Sequence, residues 1–252
     1  MSKTRFAIPN SYWRTARQPR YSLSFALPLL AAYEALAFLL SGFQMAGVRN
    51  GADVLLKSLF LGLGGRHGLA VFGLLLVGGG VAVVGRDIRH SGRLQPRYFL
   101  LMAGESVVYA LTFGLVAGTL TGLLLMSAIL TGAATAWSGT ALNLPVQLMI
   151  SLGAGIYEEL LFRVLLVSTI AVIARRALGW SAAGASVLAV VLGAIIFSAF
   201  HYVGPYGERL ALGSFTYRAM AGLLFSGLYV LRGFGITAWT HALYDVFLAV
   251  GW

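Results

Sequence analysis

The sequence predicts an all-α protein, a polytopic transmembrane bundle of about seven helices. Lys, Arg, Asp and Glu together make up only 10% of the 252 residues, whereas soluble domains have about 25%. The hydrophobic fraction is 59%, and the mean hydropathy is +0.84. A water-soluble protein of this size cannot bury so much apolar surface, so lipid is the expected solvent for most of the chain.

Composition also excludes several classes of protein. The chain has no cysteine, which excludes a disulfide-stabilised secreted scaffold. The net charge of +10 would point to nucleic acid in a soluble domain. Here the basic residues form short clusters between long uncharged runs, which is typical of cytoplasmic loops in membrane proteins, so no nucleic-acid partner is expected.

Residues 1–21 form a basic segment that is predicted to lie in the cytoplasm. It contains no acidic residue, and its basic residues are Lys3, Arg5, Arg14, Arg17 and Arg20. The apolar run 22–42 that follows is too long for a typical signal-peptide core and has no clear cleavage site after it. We therefore predict that this run is retained as the first membrane span.

Six further apolar runs have about the 20 residues that a helix needs to cross the hydrocarbon core. They cover residues 68–84, 98–130, 146–174, 181–202, 214–231 and 234–252. The second and third of these runs are longer than required, and we expect them to tilt, kink or include an interfacial piece.

Loop charges indicate the orientation of these spans. With the N-terminus inside, the predicted inside segments hold twelve Lys and Arg residues and the outside segments hold four. This bias predicts seven spans with a cytoplasmic N-terminus and an outward-facing Trp252. Residues 1–252 are thus expected to form one integral domain in the inner (plasma) membrane of a bacterium.

Other polar features of the early spans have structural interpretations. The range 52–63 is predicted either as an amphipathic helix in the outer interface or as a re-entrant or packed loop helix. Glu34 and Glu105 lie within the first and third spans, and Arg218 lies within the sixth. One of the two acids is expected to pair with Arg218, because isolated charges inside a membrane are costly.

The strongest functional signal is a group of ionisable residues in the late spans. Such residues need a partner or a task when they lie inside apolar helices. The fourth span carries Glu158, Glu159 and Arg163, His201 ends the fifth, and His241 and Asp245 lie in the seventh.

The spacing of these residues predicts how they are paired. Glu159 and Arg163 are four residues apart and can form an ion pair within one helix. Glu158 points about 100° away from Glu159 and has no partner in its own helix. Residues 197 and 201, and likewise 241 and 245, also share a helix face.

A single polar cavity built from the last four spans is the least costly arrangement of these groups. It suits hydrolysis, because a buried carboxylate can take a proton from water, a histidine can orient that water, and other polar groups can stabilise an oxyanion. The same residue types can instead bind zinc or iron. In that case the candidate ligands are Glu158, His201, His241 and Asp245.

Three motifs on successive late spans carry a family resemblance. They read E-E-x-x-x-R at 158–163, F-x-x-x-H at 197–201 and H-x-x-x-D at 241–245. In this order and spacing they resemble the CPBP family, the CAAX-processing and bacteriocin-processing intramembrane proteases, also called ABI or type II CAAX endopeptidases. The resemblance covers residues 146–252, the expected catalytic core, and the first three spans are similar only as hydrophobic helices.

The resemblance implies a glutamate-type endopeptidase. Glu158 and His201 would activate the attacking water, and His241 and Asp245 would form the oxyanion site. The supporting residues would be Glu159, Arg163 and Phe197.

Asp245 departs from the pattern of the eukaryotic CAAX enzymes, which carry Asn at this position, although the family allows Asp there. An ionised Asp cannot donate a hydrogen bond to an oxyanion. Asp245 must therefore be protonated, orient His241 or bind a metal.

The predicted function is hydrolysis of a peptide bond near the membrane-associated C-terminal tail or leader of a protein substrate. The expected partners are the bilayer and a membrane-anchored or lipidated protein. No cofactor is expected to be required, and a divalent metal such as zinc is the alternative. The alternative functions are a non-catalytic scaffold or immunity protein with the same fold and a proton-coupled transporter, which is disfavoured because no inverted repeat is visible.

Overall fold

A computed structural model describes residues 12–41, 49–130, 142–204 and 207–251. Over these ranges the chain forms helices and no strand, which confirms the all-α prediction. The helices are α1 (Tyr12–Thr15), α2 (Pro19–Ser41), α3 (Gly51–Gly73), α4 (Gly79–Ser91), α5 (Pro96–Leu130), α6 (Leu144–Gly153), α7 (Ser168–Arg176), α8 (Ala182–Phe200), α9 (Leu212–Arg232) and α10 (Phe234–Ala249). Two π-helical segments, Leu74–Gly78 and Ala154–Val167, join α3 to α4 and α6 to α7.

Among the described residues, four helical stretches are long and apolar enough to cross a membrane. They are Pro19–Leu40, Gly51–Ser91, Pro96–Met126 and Ala182–Phe200. These stretches correspond to the first, second, third and fifth predicted spans, and they identify a membrane protein. Helices also form in the other three predicted ranges, but the full count of seven spans and their orientation stay predictions. Residues 1–11 of the basic segment, and Trp252, lie outside the described residues.

Large aliphatic side chains are exposed along the outer surfaces of these helices. Leu74, Leu100 and Leu115 are 69%, 76% and 68% exposed, respectively. Exposed leucines in such numbers are unfavourable in water and favourable against lipid chains. The surface of the bundle is therefore suited to a bilayer.

Helix α3 reverses direction at a pair of glycines. Gly64 and Gly65 leave the helical conformation, and Gly65 has a φ of +55°, which side-chain-bearing residues rarely adopt. The chain then folds back so closely that a Cβ at Gly68 would lie 1.8 Å from the carbonyl oxygen of Phe60. The range 52–63 is thus the first arm of a helical hairpin. Asp53 in this arm is fully buried, which favours the packed-helix prediction over the interfacial one.

Helix α10 packs against α2, α5, α6, α9 and the π-helical segment 154–167. Small residues permit these contacts. A Cβ at Gly155 would lie 2.4 Å from the carbonyl oxygen of Ala238, and a Cβ at Gly235 would lie 2.3 Å from that of Ser22. Backbones therefore meet at these two crossings, and α10 lies among helices from both halves of the chain.

Ion pairs connect residues in different elements of the fold. The predicted pair of Arg218 with Glu34 or Glu105 was wrong, because each of these three residues pairs with another partner. The N–O distance is 2.9 Å in the pair Lys57–Glu34, 2.5 Å in Arg232–Glu105 and 2.6 Å in Arg218–Glu208. Each acid has a cation that the fold brings nearer than Arg218. Residue spacing along the chain cannot rank partners on different helices, which is why the expectation failed.

Candidate active site

The first predicted motif lies in the π-helical segment 154–167. Its three ionisable residues, Glu158, Glu159 and Arg163, are all buried, with exposed fractions of 7%, 0% and 0%. A π-helix has wider turns closed by bonds between residues five apart, and such segments occur often at functional sites. The segment therefore brings three charged groups into the interior of the bundle.

Glu159 contacts two partners, one in its own helical segment and one on α10. Its Oε2 lies 3.2 Å from Arg163 Nε, so the predicted pair within one helix is confirmed. Its Oε1 accepts a hydrogen bond of 2.6 Å from His241 Nδ1 on α10. Because Nδ1 donates to this carboxylate, the opposite ring nitrogen, Nε2, faces away from Glu159.

His241 lies in a mainly aromatic surrounding. Its ring stacks on Phe225 with a centroid distance of 4.3 Å and meets the Phe197 ring edge-on at 6.0 Å. The Arg163 guanidinium lies 4.4 Å from the centre of the Phe197 ring. Phe197 thus supports both His241 and Arg163, in keeping with a supporting position.

Asp245 lies on the other side of His241. Its Oδ2 is 3.7 Å from His241 Nε2, which is within ion-pair range and longer than a hydrogen bond. The side chain of Asp245 is 28% exposed, in contrast to the buried Glu159. His241 therefore lies between two carboxylates of different accessibility.

His201 follows the last residue of α8. Its Nδ1 lies 2.9 Å from the backbone carbonyl oxygen of Phe197, to which it donates. The carbonyl can only accept, so this bond places the Nδ1 proton and leaves Nε2 as the acceptor of the neutral ring. A free acceptor is what a histidine needs to orient a water molecule.

Glu158 has no partner within its own helix, as its spacing predicts, and its partner comes from the N-terminal half. Asn50 Nδ2 donates a hydrogen bond of 2.8 Å to Glu158 Oε1. His201 and His241 both lie near enough to the Glu158 carboxylate to interact with it electrostatically. Glu158, His201, His241 and Asp245 are thus grouped in one region of the bundle.

Asn50 is a residue of the candidate site that the sequence motifs do not predict. A weak signal was present, because Asn directly before an apolar helical run is typical of a helix N-cap. Nothing in that signal connects residue 50 with residue 158, which is 108 positions further along the chain. Only the fold brings the two together.

The four grouped residues were also the candidate metal ligands. In the described ranges, no group of three or more His, Asp and Glu side chains is placed to hold a metal ion. Zinc binding by these residues stays the alternative to the metal-free prediction, and metal analysis of the purified protein can test it.

Buried glutamates, two histidines and an aspartate, contributed by separate helices of a membrane protein, define the class as a candidate intramembrane hydrolase. Residues 140–247 match the family described as type II CAAX prenyl endopeptidase Rce1-like. This match confirms the resemblance to the CPBP/CAAX protease family over residues 140–247. Neither a search of curated proteins nor a search of solved structures gives a significant match.

Proposed function

We propose that this protein is an intramembrane endopeptidase of the inner, or plasma, membrane in which Glu158 activates the attacking water. It cleaves a membrane-associated C-terminal tail or leader of another protein. The observation that carries the proposal is the buried Glu158 carboxylate, which lies near two histidines, one at the end of α8 and one on α10. The family match at residues 140–247 supports peptide hydrolysis as the reaction class.

In this mechanism Glu158 removes a proton from water while His201 Nε2 accepts the second water proton in a hydrogen bond. The water oxygen forms a bond to the scissile carbonyl carbon, and the carbonyl oxygen takes the negative charge. When the C–N bond breaks, Glu158 returns its proton to the leaving amine. The products are a carboxylic acid and an amine, and the enzyme is regenerated unchanged.

His241 is assigned to the oxyanion. Each of its ring nitrogens faces a carboxylate, Glu159 at 2.6 Å from Nδ1 and Asp245 at 3.7 Å from Nε2, so the ring is placed to carry a proton on both nitrogens. The Nε2–H group can then donate to the developing oxyanion. Asp245 needs no proton of its own in this arrangement, because it acts through His241.

The test is Glu158→Gln in the full-length protein, with new protein termini in the host membranes measured by quantitative mass spectrometry. Gln keeps the shape and removes the base, so we expect termini that depend on the wild type to fall by about 100-fold or more while protein abundance stays the same. The matched control is Glu208→Gln, the same change at an exposed loop carboxylate whose side chain pairs with Arg218 and with none of the proposed catalytic residues. Termini that persist unchanged in Glu158→Gln would contradict the proposal and favour the non-catalytic scaffold.

A further inference from the structure

We infer that Asn50 is a positioning residue that fixes Glu158 for proton transfer. The inference rests on the proposed function of Glu158. Asn50 lies outside the segment 140–247 that matches the family, so the family motifs do not assign it a role. Asn50 is suited to this role by the direction of its two hydrogen bonds, its confinement and its effect on the carboxylate.

The direction of the Asn50 amide is set by its position before α3. Its Oδ1 accepts a hydrogen bond of 2.9 Å from the backbone N–H of Ala52, which caps the helix. An amide oxygen only accepts and an amide nitrogen only donates. The capping bond therefore turns the donor end of Asn50 towards Glu158, where the Nδ2–Oε1 distance is 2.8 Å.

The position of Asn50 is fixed by a network of contacts around Asp53, three residues further along the chain. Arg49 Nη1 lies 3.1 Å from Asp53 Oδ2, and Lys57 Nζ lies 2.7 Å from Asp53 Oδ1. The Tyr33 hydroxyl on α2 donates a further bond of 2.7 Å to Asp53. This charged network fixes the first turn of α3 to α2, and Asn50 is itself only 2% exposed.

The helix that carries Glu158 approaches Asn50 through a glycine. A Cβ at Gly153 would lie 2.7 Å from the Asn50 Cβ and 2.6 Å from the Tyr33 ring. A side chain at position 153 would push the two elements apart. The absence of a side chain therefore permits the hydrogen bond between Asn50 and Glu158.

The contact has two consequences for proton transfer. Asn50 engages Oε1, so Oε2 is the oxygen that takes the proton from water. A buried hydrogen-bond donor also favours the ionised carboxylate, which is the form that acts as a base. Loss of the donor should therefore lower the turnover rate and move the acidic limb of the pH–rate profile to higher pH.

The test uses Asn50→Ser in the full chain, assayed on a quenched fluorescent peptide built on a cleavage site found in the Glu158→Gln comparison. Ser still caps a helix but is too short to reach Glu158. We expect kcat per folded protein to fall about 10- to 100-fold, with little change in KM and an acidic limb at higher pH. Asn50→Asp also keeps the cap but directs a carboxylate at Glu158, so kcat should fall further.

The matched control is Asn143→Ser. Asn143 caps α6 through a bond to the backbone N–H of Val146 and is exposed, so the same change there should leave kcat and the pH profile unaltered. Wild-type kcat and pH profile in Asn50→Ser would overturn the inference while the proposed function stands. Cleavage that persists in Glu158→Gln would instead remove the proposed function. Folded protein is quantified by thermal unfolding in detergent, so a loss of abundance is not mistaken for a loss of turnover.

Discussion

Asp245 and Glu159 differ in their distance from the His241 ring and in their exposure, and this difference assigns them different roles. Glu159 is fully buried and lies within hydrogen-bond distance of Nδ1, so it fixes the ring. Asp245 is partly exposed and lies beyond hydrogen-bond distance from Nε2. A substrate oxygen can therefore approach Nε2 without breaking a strong bond.

This geometry predicts the outcome of Asp245→Asn. Asn keeps the size of the side chain and can hydrogen-bond to the imidazole or to the oxyanion, so we expect at least about a tenth of wild-type kcat to remain. The measurement is peptide cleavage at several pH values together with the metal content of the purified protein. A metal ligand would behave differently, because a neutral amide weakens metal binding. One equivalent of zinc, with activity lost to a chelator and restored by added zinc, would contradict the prediction.

Residue spacing predicts the contacts within one helix and fails for contacts between helices. The pair of Glu159 and Arg163 follows from a separation of four residues, and it is present. The donor for Glu158 is Asn50, which lies 108 positions earlier in the chain. Periodicity specifies which face a side chain occupies, but the identity of the facing helix depends on packing that no local pattern encodes.

At the scale of the element, the sequence does not specify the helix type of the segment 154–167. The length of the run 146–174 predicts a tilt, a kink or an interfacial piece, and the chain forms a π-helix over the motif residues. Composition does not distinguish an α-helix from a π-helix, because the type of helix depends on which backbone groups are paired and both types accept the same kinds of side chain. Close contact with α10 at Gly155 accompanies the π-helix.

We predict that Gly155→Ala destabilises the protein. The new methyl group would lie 2.4 Å from the Ala238 carbonyl oxygen, and a backbone atom in a central helix cannot move aside freely. The expected cost is about 1–3 kcal/mol, seen as a lower thermal-unfolding midpoint in detergent. Gly118→Ala on α5 is the control, because a Cβ at that position would have no neighbouring atom within 4 Å. Equal unfolding midpoints for the two variants would contradict a tight backbone crossing between Gly155 and α10.

At the scale of the whole molecule, the basic residues and the site lie at different ends of the predicted topology. The turn between α4 and α5 is rich in arginine and is predicted to face the cytoplasm. The residues that follow α8, and those that precede α3, are predicted to lie on the outer side. Asn50 and His201 belong to these outer segments, so in this topology the proposed site lies towards the outer side of the membrane.

Reporter fusions test the orientation directly. A reporter that is active only outside the cytoplasm should be inactive when fused at residue 92, because the twelve-to-four bias of basic residues keeps this turn inside. The same reporter fused at residue 209, after α8, should be active. Activity at residue 92 would refute the seven-span arrangement, and expression of each fusion is checked by immunoblot.

The position of α10 has a consequence for biosynthesis. This helix contacts α2, α5, α6 and α9, yet the ribosome makes all four before it. Until α10 enters the bundle, Glu159 and Arg163 lack their histidine neighbour, and the small residues that receive α10 face lipid or one another. Assembly of the interior therefore waits for α10, and chains interrupted before residue 234 should present the Glu159–Arg163 pair without His241 to the membrane quality-control proteases.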